Sequence, residues 1–259
     1  MVLLDLPVEL LYEVGLYAAS PTLPQTCRYL NAIFKASPAS YRAQYLVTCL
    51  EQSRPREDAI ITKILRYPIC NEDVLEAYFR MTASQADSWK RWVPELPRRL
   101  FRTLATDSNE GGALRWTELD HPVPFLRYLY TCPHIPPPAV NSHQGYALTK
   151  AVQTRFVPLI QFLLSHGATP DWKNNLAIFI AIYRKDLPMV KMLVERSEKT
   201  NTRPEGRSAG AKRRKLEDRV SVTPEMVRAA VKCKAQDIVE YFTREKGCIP
   251  DIHTLLMLE

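Results

Sequence analysis

The chain has 259 residues, of which 46% are hydrophobic and 24% charged, and its formal net charge is +7 at pH 7. This length suffices for one large domain or two smaller ones. No apolar run approaches the ~20 residues that span a bilayer, so a membrane-spanning protein is not expected. Nine basic and four acidic residues lie within 196–219, so the positive charge belongs mostly to one segment rather than to a general nucleic-acid surface. Few glycines (8) and many prolines (20) favour short helices.

Two apolar stripes at helical spacing occupy the first part of the chain. The first predicted helix begins at Leu6-Pro7, because proline is tolerated in a first turn where no backbone N–H is needed. A break at Ser20-Pro21 separates it from the second helix. The stripes comprise Leu10, Leu11 and Val14 in the first helix and Leu23, Cys27, Leu30 and Phe34 in the second. Stripes this broad on short helices need a partner surface.

The arrangement Leu-Pro-x-Glu-Leu-Leu, a turn, and Leu-x-x-Thr-Cys-Arg-x-Leu resembles the F-box over residues 4–46. The F-box is the module by which substrate receptors bind the Skp-type adaptor of cullin ubiquitin ligases. The resemblance implies that residues 1–48 are an F-box-like helical module. The positions that match the motif, some facing the adaptor and others holding the module together, are Leu6, Pro7, Leu10, Leu11, Val14, Leu23, Cys27 and Leu30. The alternative is an ordinary N-terminal helical hairpin of one domain.

Residues 49–110 are predicted to form a helical connector or a degenerate repeat. Aliphatic and aromatic residues recur at helical spacing over 59–66 and 72–81. A ladder close to i, i+3/i+4 spacing follows and is predicted to be core: Trp89, Trp92, Leu96, Leu100 and Leu104. The proline-rich stretch 133–138 is predicted to be a loop.

Three windows of the C-terminal half align with one another and indicate a repeat architecture. They begin at Ala151, Ala181 and Ala230. In each, a small-plus-aliphatic pair ends one helix, a short polar turn follows, and a second helix has the pattern apolar-apolar-polar-apolar-apolar. A weaker copy lies at 125–129. Chance periodicity in an irregular helical domain is the alternative.

The three windows resemble ankyrin repeats, although only the Leu and Ala positions of the signature Thr-Pro-Leu-His-x-Ala are kept. The trailing Gly-Ala is intact at Gly167-Ala168. The resemblance implies a short, irregular ankyrin-like solenoid over 111–195, interrupted by a basic insert at 196–221 and completed by a final repeat at 222–259. It also implies that a protein substrate binds the concave face. Loop-proximal candidates for that contact are Tyr146, Trp172, Asn174 and Asn175.

A basic run inside the insert, Lys212, Arg213, Arg214 and Lys215, resembles a monopartite nuclear localisation signal. Small residues precede it and a leucine and acidic residues follow. A nuclear import receptor is therefore an expected partner, and the expected location is the nucleus, the cytoplasm or both. A solvated loop and a phosphate or RNA contact are the alternatives.

Catalysis finds little support in the sequence. The five histidines are dispersed, none pairs with a Cys, Asp or Glu at metal-ligand spacing, and no phosphate-binding glycine loop is present. His166 is expected to make a helix-terminal contact. The six scattered cysteines suit a reducing compartment. No cofactor, metal or enzymatic activity is expected.

Together these observations predict an all-α protein that binds other proteins. Its predicted function is the substrate-recognition subunit of a Skp–cullin–F-box ubiquitin ligase, with the adaptor and the cullin scaffold as partners. A non-catalytic ankyrin-type scaffold with no ligase role is the alternative. A third hypothesis, nucleic-acid binding through the basic insert and Arg98, Arg99 and Arg102, is weakened by the charge distribution.

Overall fold

The structure is a computed structural model that describes residues 3–85, 89–104, 116–196 and 218–251. The described chain is mostly helical, as predicted. In these ranges the extended pairing consists of one isolated parallel bridge between Glu95 and Ala139. The chain divides into two compact units, Met1–Thr103 with Thr117–Ser142, and Leu104–Trp116 with His143–Glu259.

The first unit places the motif-bearing helices and the predicted connector in one compact body. Short 3-10 turns occur at Leu3–Asp5, Leu23–Gln25, Glu57–Ala59 and Ala83–Gln85. Its α-helices are α1 (Val8–Ala18), α2 (Arg28–Ala36), α3 (Ala39–Ser53), α4 (Ile60–Arg66), α5 (Glu72–Met81), α6 (Arg99–Arg102) and α7 (Val123–Thr131). The most extensive helix–helix packing in this unit joins α3 to α5.

Aromatic side chains of α2 and α3 hold α1 in place. The Tyr41 hydroxyl donates a hydrogen bond to the Tyr12 carbonyl at 2.8 Å, and the Tyr45 hydroxyl donates to the Ser20 carbonyl beyond the end of α1. Phe34 of α2 is fully buried, with its ring centroid 5.1 Å from that of Tyr45. Burial of these rings gives the unit a core that α1 alone could not supply.

The predicted ladder after α5 is only partly buried. Trp89, Leu96 and Leu100 lie in the core as predicted, whereas Trp92 is 44% exposed, so the prediction is wrong for that residue. The reason is local backbone structure, because residues 92–97 are not helical. Outside a helix, residues spaced i, i+3/i+4 no longer share one face, so the helical ladder does not apply there.

The second unit is built from helix pairs. Its helices are α8 (Ser142–Gln153), α9 (Val157–Ser165), α10 (Trp172–Tyr183), α11 (Leu187–Val194), α12 (Pro224–Lys232) and α13 (Gln236–Glu240), and α13 continues as one π-helical turn, Tyr241–Glu245. The three aligned windows of the sequence correspond to the pairs α8/α9, α10/α11 and α12/α13. α10 packs against both α11 and α12, and α12 packs against α13.

The same turn joins the two helices of every pair. Arg155, Lys185 and Lys234 each adopt the left-handed conformation, with φ of 53°, 54° and 55°. The N–H of the next residue donates to the carbonyl of Ala151, Ala181 or Ala230, at 3.0, 3.1 and 3.0 Å respectively. This is the Schellman arrangement that ends a helix. The three windows therefore share one helix–turn–helix geometry.

Candidate protein-binding surfaces

The structure separates the eight motif residues of the first unit by exposure. Leu11 and Leu30 are only 2% and 4% exposed and belong to the unit's own core. Leu10 is 44% exposed, and Pro7 is also exposed. The remaining motif residues, which are half-buried, are Leu6, Val14, Leu23 and Cys27. A partner can therefore reach Leu10 and Pro7 but not Leu11 or Leu30.

Cys27 is the N-terminal cap of α2. It lies on the predicted apolar stripe, but its backbone is extended and its Sγ accepts a hydrogen bond from the Leu30 N–H at 3.4 Å. A thiol is a weak acceptor, and this contact satisfies one of the free N–H groups at the start of α2. Cys27 thus fixes where α2 begins.

Three exposed apolar residues beside the motif were not singled out from the sequence. Leu3, Leu4 and Val8 are each exposed by more than a third, as is Leu10. We call these four residues the N-terminal apolar group. The sequence signal was the Leu3-Leu4 pair before the motif, which helical periodicity alone does not register. Several large apolar side chains left in water within one short segment are a feature of protein-binding sites.

A groove in the first unit has a volume of about 740 Å³. Its walls include Lys63 and Arg66 of α4 and the exposed Trp92 and Val93. Arg66 pairs with Glu95 at 3.1 Å, so much of the positive charge on this wall is already neutralised. The volume is within the range of ligand pockets, but the lining does not favour one ligand chemistry.

Reactive groups are few in the described part of the chain. Burial raises the pKa of the Cys49 thiol to about 11 and that of Cys70 to about 12, so both are protonated and poorly nucleophilic at neutral pH. No group of three His, Cys, Asp or Glu side chains is arranged there to bind a metal ion. His166 makes the expected helix-terminal contact, with Nδ1 2.8 Å from the Phe162 carbonyl.

Arg99, one of the arginines considered for nucleic-acid binding, is already engaged within the first unit. Its Nε donates to the Leu65 carbonyl at 2.6 Å, and its Nη2 donates to the Cys70 carbonyl at 2.9 Å. Burial lowers the pKa of this guanidinium. Arg99 therefore links α6 to the last turn of α4 and to Cys70, and this use competes with any phosphate contact.

The second unit exposes apolar side chains along α10. Leu176 and Trp172 are more than a third exposed, and Tyr183 is 64% exposed. Asn174 and Asn175 lie with Lys173 in a left-handed turn at the start of this helix. Of the loop-proximal candidates, Trp172 and Asn174 are exposed, whereas Asn175 and Tyr146 are half-buried.

The two ends of the basic insert meet in the second unit. The Arg219 N–H donates to the Val194 carbonyl at 2.7 Å, and the Arg219 Nε donates to the Glu195 carbonyl at 3.1 Å. Lys246 pairs with Glu195 at 3.1 Å and with Asp218 at 2.8 Å. These contacts fix residues on both sides of 197–217. The proposed localisation signal, Lys212 to Lys215, lies outside the described residues.

Because its ends are held together, the segment 197–217 is expected to be dispensable for folding. Replacing it with a Gly/Ser linker of about six residues should leave the free energy of unfolding unchanged or raise it by up to ~1 kcal/mol, since the closed loop is shorter. Chemical denaturation measures this. In cells, the same deletion and a Lys212-to-Lys215 alanine variant should both lose nuclear accumulation. Unfolding on deletion would contradict the assigned role of the Arg219 and Lys246 contacts.

Comparison with protein-family models, with curated proteins and with solved structures returns no match to this chain. Among the helices that the structure describes, none combines the length and apolar character needed to cross a membrane.

Proposed function

We propose that the chain is a non-catalytic substrate receptor, which binds a Skp-type adaptor through its N-terminal helices and a protein substrate through its helix pairs. The observation that carries the proposal is the division within the F-box-like motif. Leu11 and Leu30 close the core of the first unit, while Leu10 and its neighbours in the N-terminal apolar group remain in water. A docking helix needs both properties, because it must fold by itself and still offer apolar surface.

Such a receptor acts by proximity. Binding adaptor and substrate at once raises the effective concentration of substrate near the ubiquitin-charged enzyme, and the receptor supplies no reacting group. The buried thiols and the absence of a metal-binding cluster in the described ranges are compatible with this role. Cullin recruitment and nuclear import through Lys212 to Lys215 belong to the same proposal.

Leu10→Asp is expected to weaken adaptor binding strongly without unfolding the protein. A carboxylate at the centre of an apolar interface removes a contact worth ~1–2 kcal/mol and adds a desolvation cost, so the affinity should fall by at least about tenfold. The measurement is calorimetric titration of purified adaptor into the full chain. Circular dichroism should show an unchanged melting temperature, because the side chain is 44% exposed.

Tyr17→Asp is the matched control for this experiment. Tyr17 lies on α1 like Leu10 and is 86% exposed, but it is outside the motif. The substitution introduces the same charge on the same helix, and the adaptor affinity should stay within about twofold of the wild-type value. Equal affinity of the wild type and Leu10→Asp, or equal loss with Tyr17→Asp, would overturn the proposed docking site.

A protein-binding scaffold without a ligase role is the second candidate. The exposed apolar residues of α10, chiefly Trp172 and Tyr183, favour it because they could bind a partner whatever the N-terminal helices do. This candidate predicts that neither the wild type nor any variant binds the adaptor. Adaptor titration of the wild-type chain therefore separates the two functions.

A further inference from the structure

The turns between the paired helices carry a cation where glycine is the residue that fits best. Arg155, Lys185 and Lys234 have φ between 53° and 55°, and all three side chains are exposed. An L-residue in this left-handed region is strained, and helices that end this way most often use glycine. We call these three residues the turn cations. Strained backbone maintained at three equivalent positions points to a use for the side chains.

The turn cations form a row along one edge of the second unit. Arg155 Nε lies 3.6 Å from Asp186 Oδ2, so the first turn is next to the second. The second turn is next to the third because α10 packs against α12 and α11 packs against α13. Neighbouring helices have axes about 8–10 Å apart, so successive turn cations are separated by roughly 10 Å.

The charge on this edge is only partly neutralised. Asp186 pairs with Arg155 and also caps α11, accepting the Met189 N–H at 3.1 Å. Lys185 and Lys234 have no ion pair with any residue in the described ranges. Tyr183, two residues before Lys185 in the sequence, is 64% exposed and offers an apolar surface close in the chain to the second turn.

We propose that the turn cations bind an extended acidic peptide segment with a carboxylate at every third residue and an apolar residue between. In the polyproline II conformation the chain advances about 3.1 Å per residue with three residues per turn, so carboxylates three residues apart lie on one face, about 9 Å from each other, and match the row. This inference rests on the proposed function, because it names the class of substrate segment that the helix pairs hold. A single-stranded nucleic acid fits less well, since Asp186 interrupts the row and Tyr183 alone offers a ring.

Fluorescence anisotropy with the full chain tests the proposal. The probe is a labelled peptide of about twelve residues with glutamate at every third position and leucine after each glutamate. The double variant Lys185→Gly/Lys234→Gly should bind it about tenfold more weakly, and the loss should shrink as salt is added. Its melting temperature should not fall, because glycine relieves the left-handed strain, so unfolding cannot explain lost binding.

Lys173→Gly is the matched control. Lys173 is also an exposed lysine in the left-handed region, with φ of 55°, but it lies outside the turns that join paired helices. It should change peptide affinity by less than about twofold. The double arginine variant, Lys185→Arg/Lys234→Arg, keeps the charge and should bind like the wild type.

Three results would overturn the proposal: unchanged peptide affinity in the glycine double variant, an equal loss with Lys173→Gly, or equal binding of a peptide whose glutamates are placed in one block. Tighter binding of a thymidine oligonucleotide than of the peptide, lost in the same double variant, would assign the row to nucleic acid instead. Adaptor titration of the double variant should be unaffected. Peptide binding without adaptor binding would therefore reject the ligase function alone.

Discussion

Leu11→Asp is expected to unfold the first unit, with a loss of about 5 kcal/mol or more in the free energy of unfolding. Leu11 is 2% exposed. Removing a buried leucine costs about 2–5 kcal/mol, and a carboxylate at the same place adds the cost of burying a charge or of protonating it. Chemical denaturation followed by circular dichroism should show that the unfolding transition of the first unit is lost, or that the whole chain no longer folds.

Leu10→Asp is the neighbouring control, because the same substitution one residue earlier places the charge on a side chain that is 44% exposed. It should change the free energy of unfolding by less than about 1 kcal/mol. From the sequence alone, both substitutions are expected to abolish adaptor docking. The structure separates them, since Leu11→Asp would lose docking by unfolding and only Leu10→Asp tests the interface. Equal stability of the two variants would contradict the placement of α1.

Gly15→Ala is expected to destabilise the first unit by about 1–3 kcal/mol, against the trend for helices. Gly-to-Ala changes inside a helix normally stabilise by roughly 1 kcal/mol. A methyl group on Gly15 would lie 2.7 Å from Phe34 Cζ and 2.7 Å from the Tyr41 hydroxyl. Phe34 is fully buried and cannot move aside, so overpacking outweighs the gain in helix propensity. Thermal and urea denaturation measure the sign.

Phe34→Leu provides the matched test of that clash. The shorter side chain costs stability by itself, but it removes the ring atom nearest to the new methyl group. The double variant Gly15→Ala/Phe34→Leu should therefore lose less free energy of unfolding than the two single variants lose in sum. The difference should be about 0.5–1 kcal/mol or more. Strict additivity, or a stabilising Gly15→Ala, would show that α1 does not pack on Phe34.

Periodicity predicted the helix pairs of the second unit well. The Ala151, Ala181 and Ala230 windows each form two helices because apolar spacing records which face is buried. The turns between them could not be predicted, since a left-handed residue is usually signalled by glycine and these positions hold Arg155, Lys185 and Lys234.

At the candidate docking site the sequence does not determine which apolar side chains are exposed. Leu10 and Leu11 are adjacent and chemically identical, and only packing against α2 and α3 decides which of them is buried. The near-helical ladder of apolar residues predicts Trp92 in the core, yet a non-helical backbone leaves it exposed. The spacing of apolar residues in the sequence identifies an apolar segment. Tertiary contacts decide which of its side chains stay exposed and can bind a partner.

Hydrogen–deuterium exchange of the full chain with purified Skp-type adaptor is the most direct test of the proposed adaptor binding by the N-terminal apolar group. We expect a one-to-one complex by light scattering and slower amide exchange over residues 3–11, with α10 unchanged. Absence of a complex, or protection confined to the second unit, would contradict it.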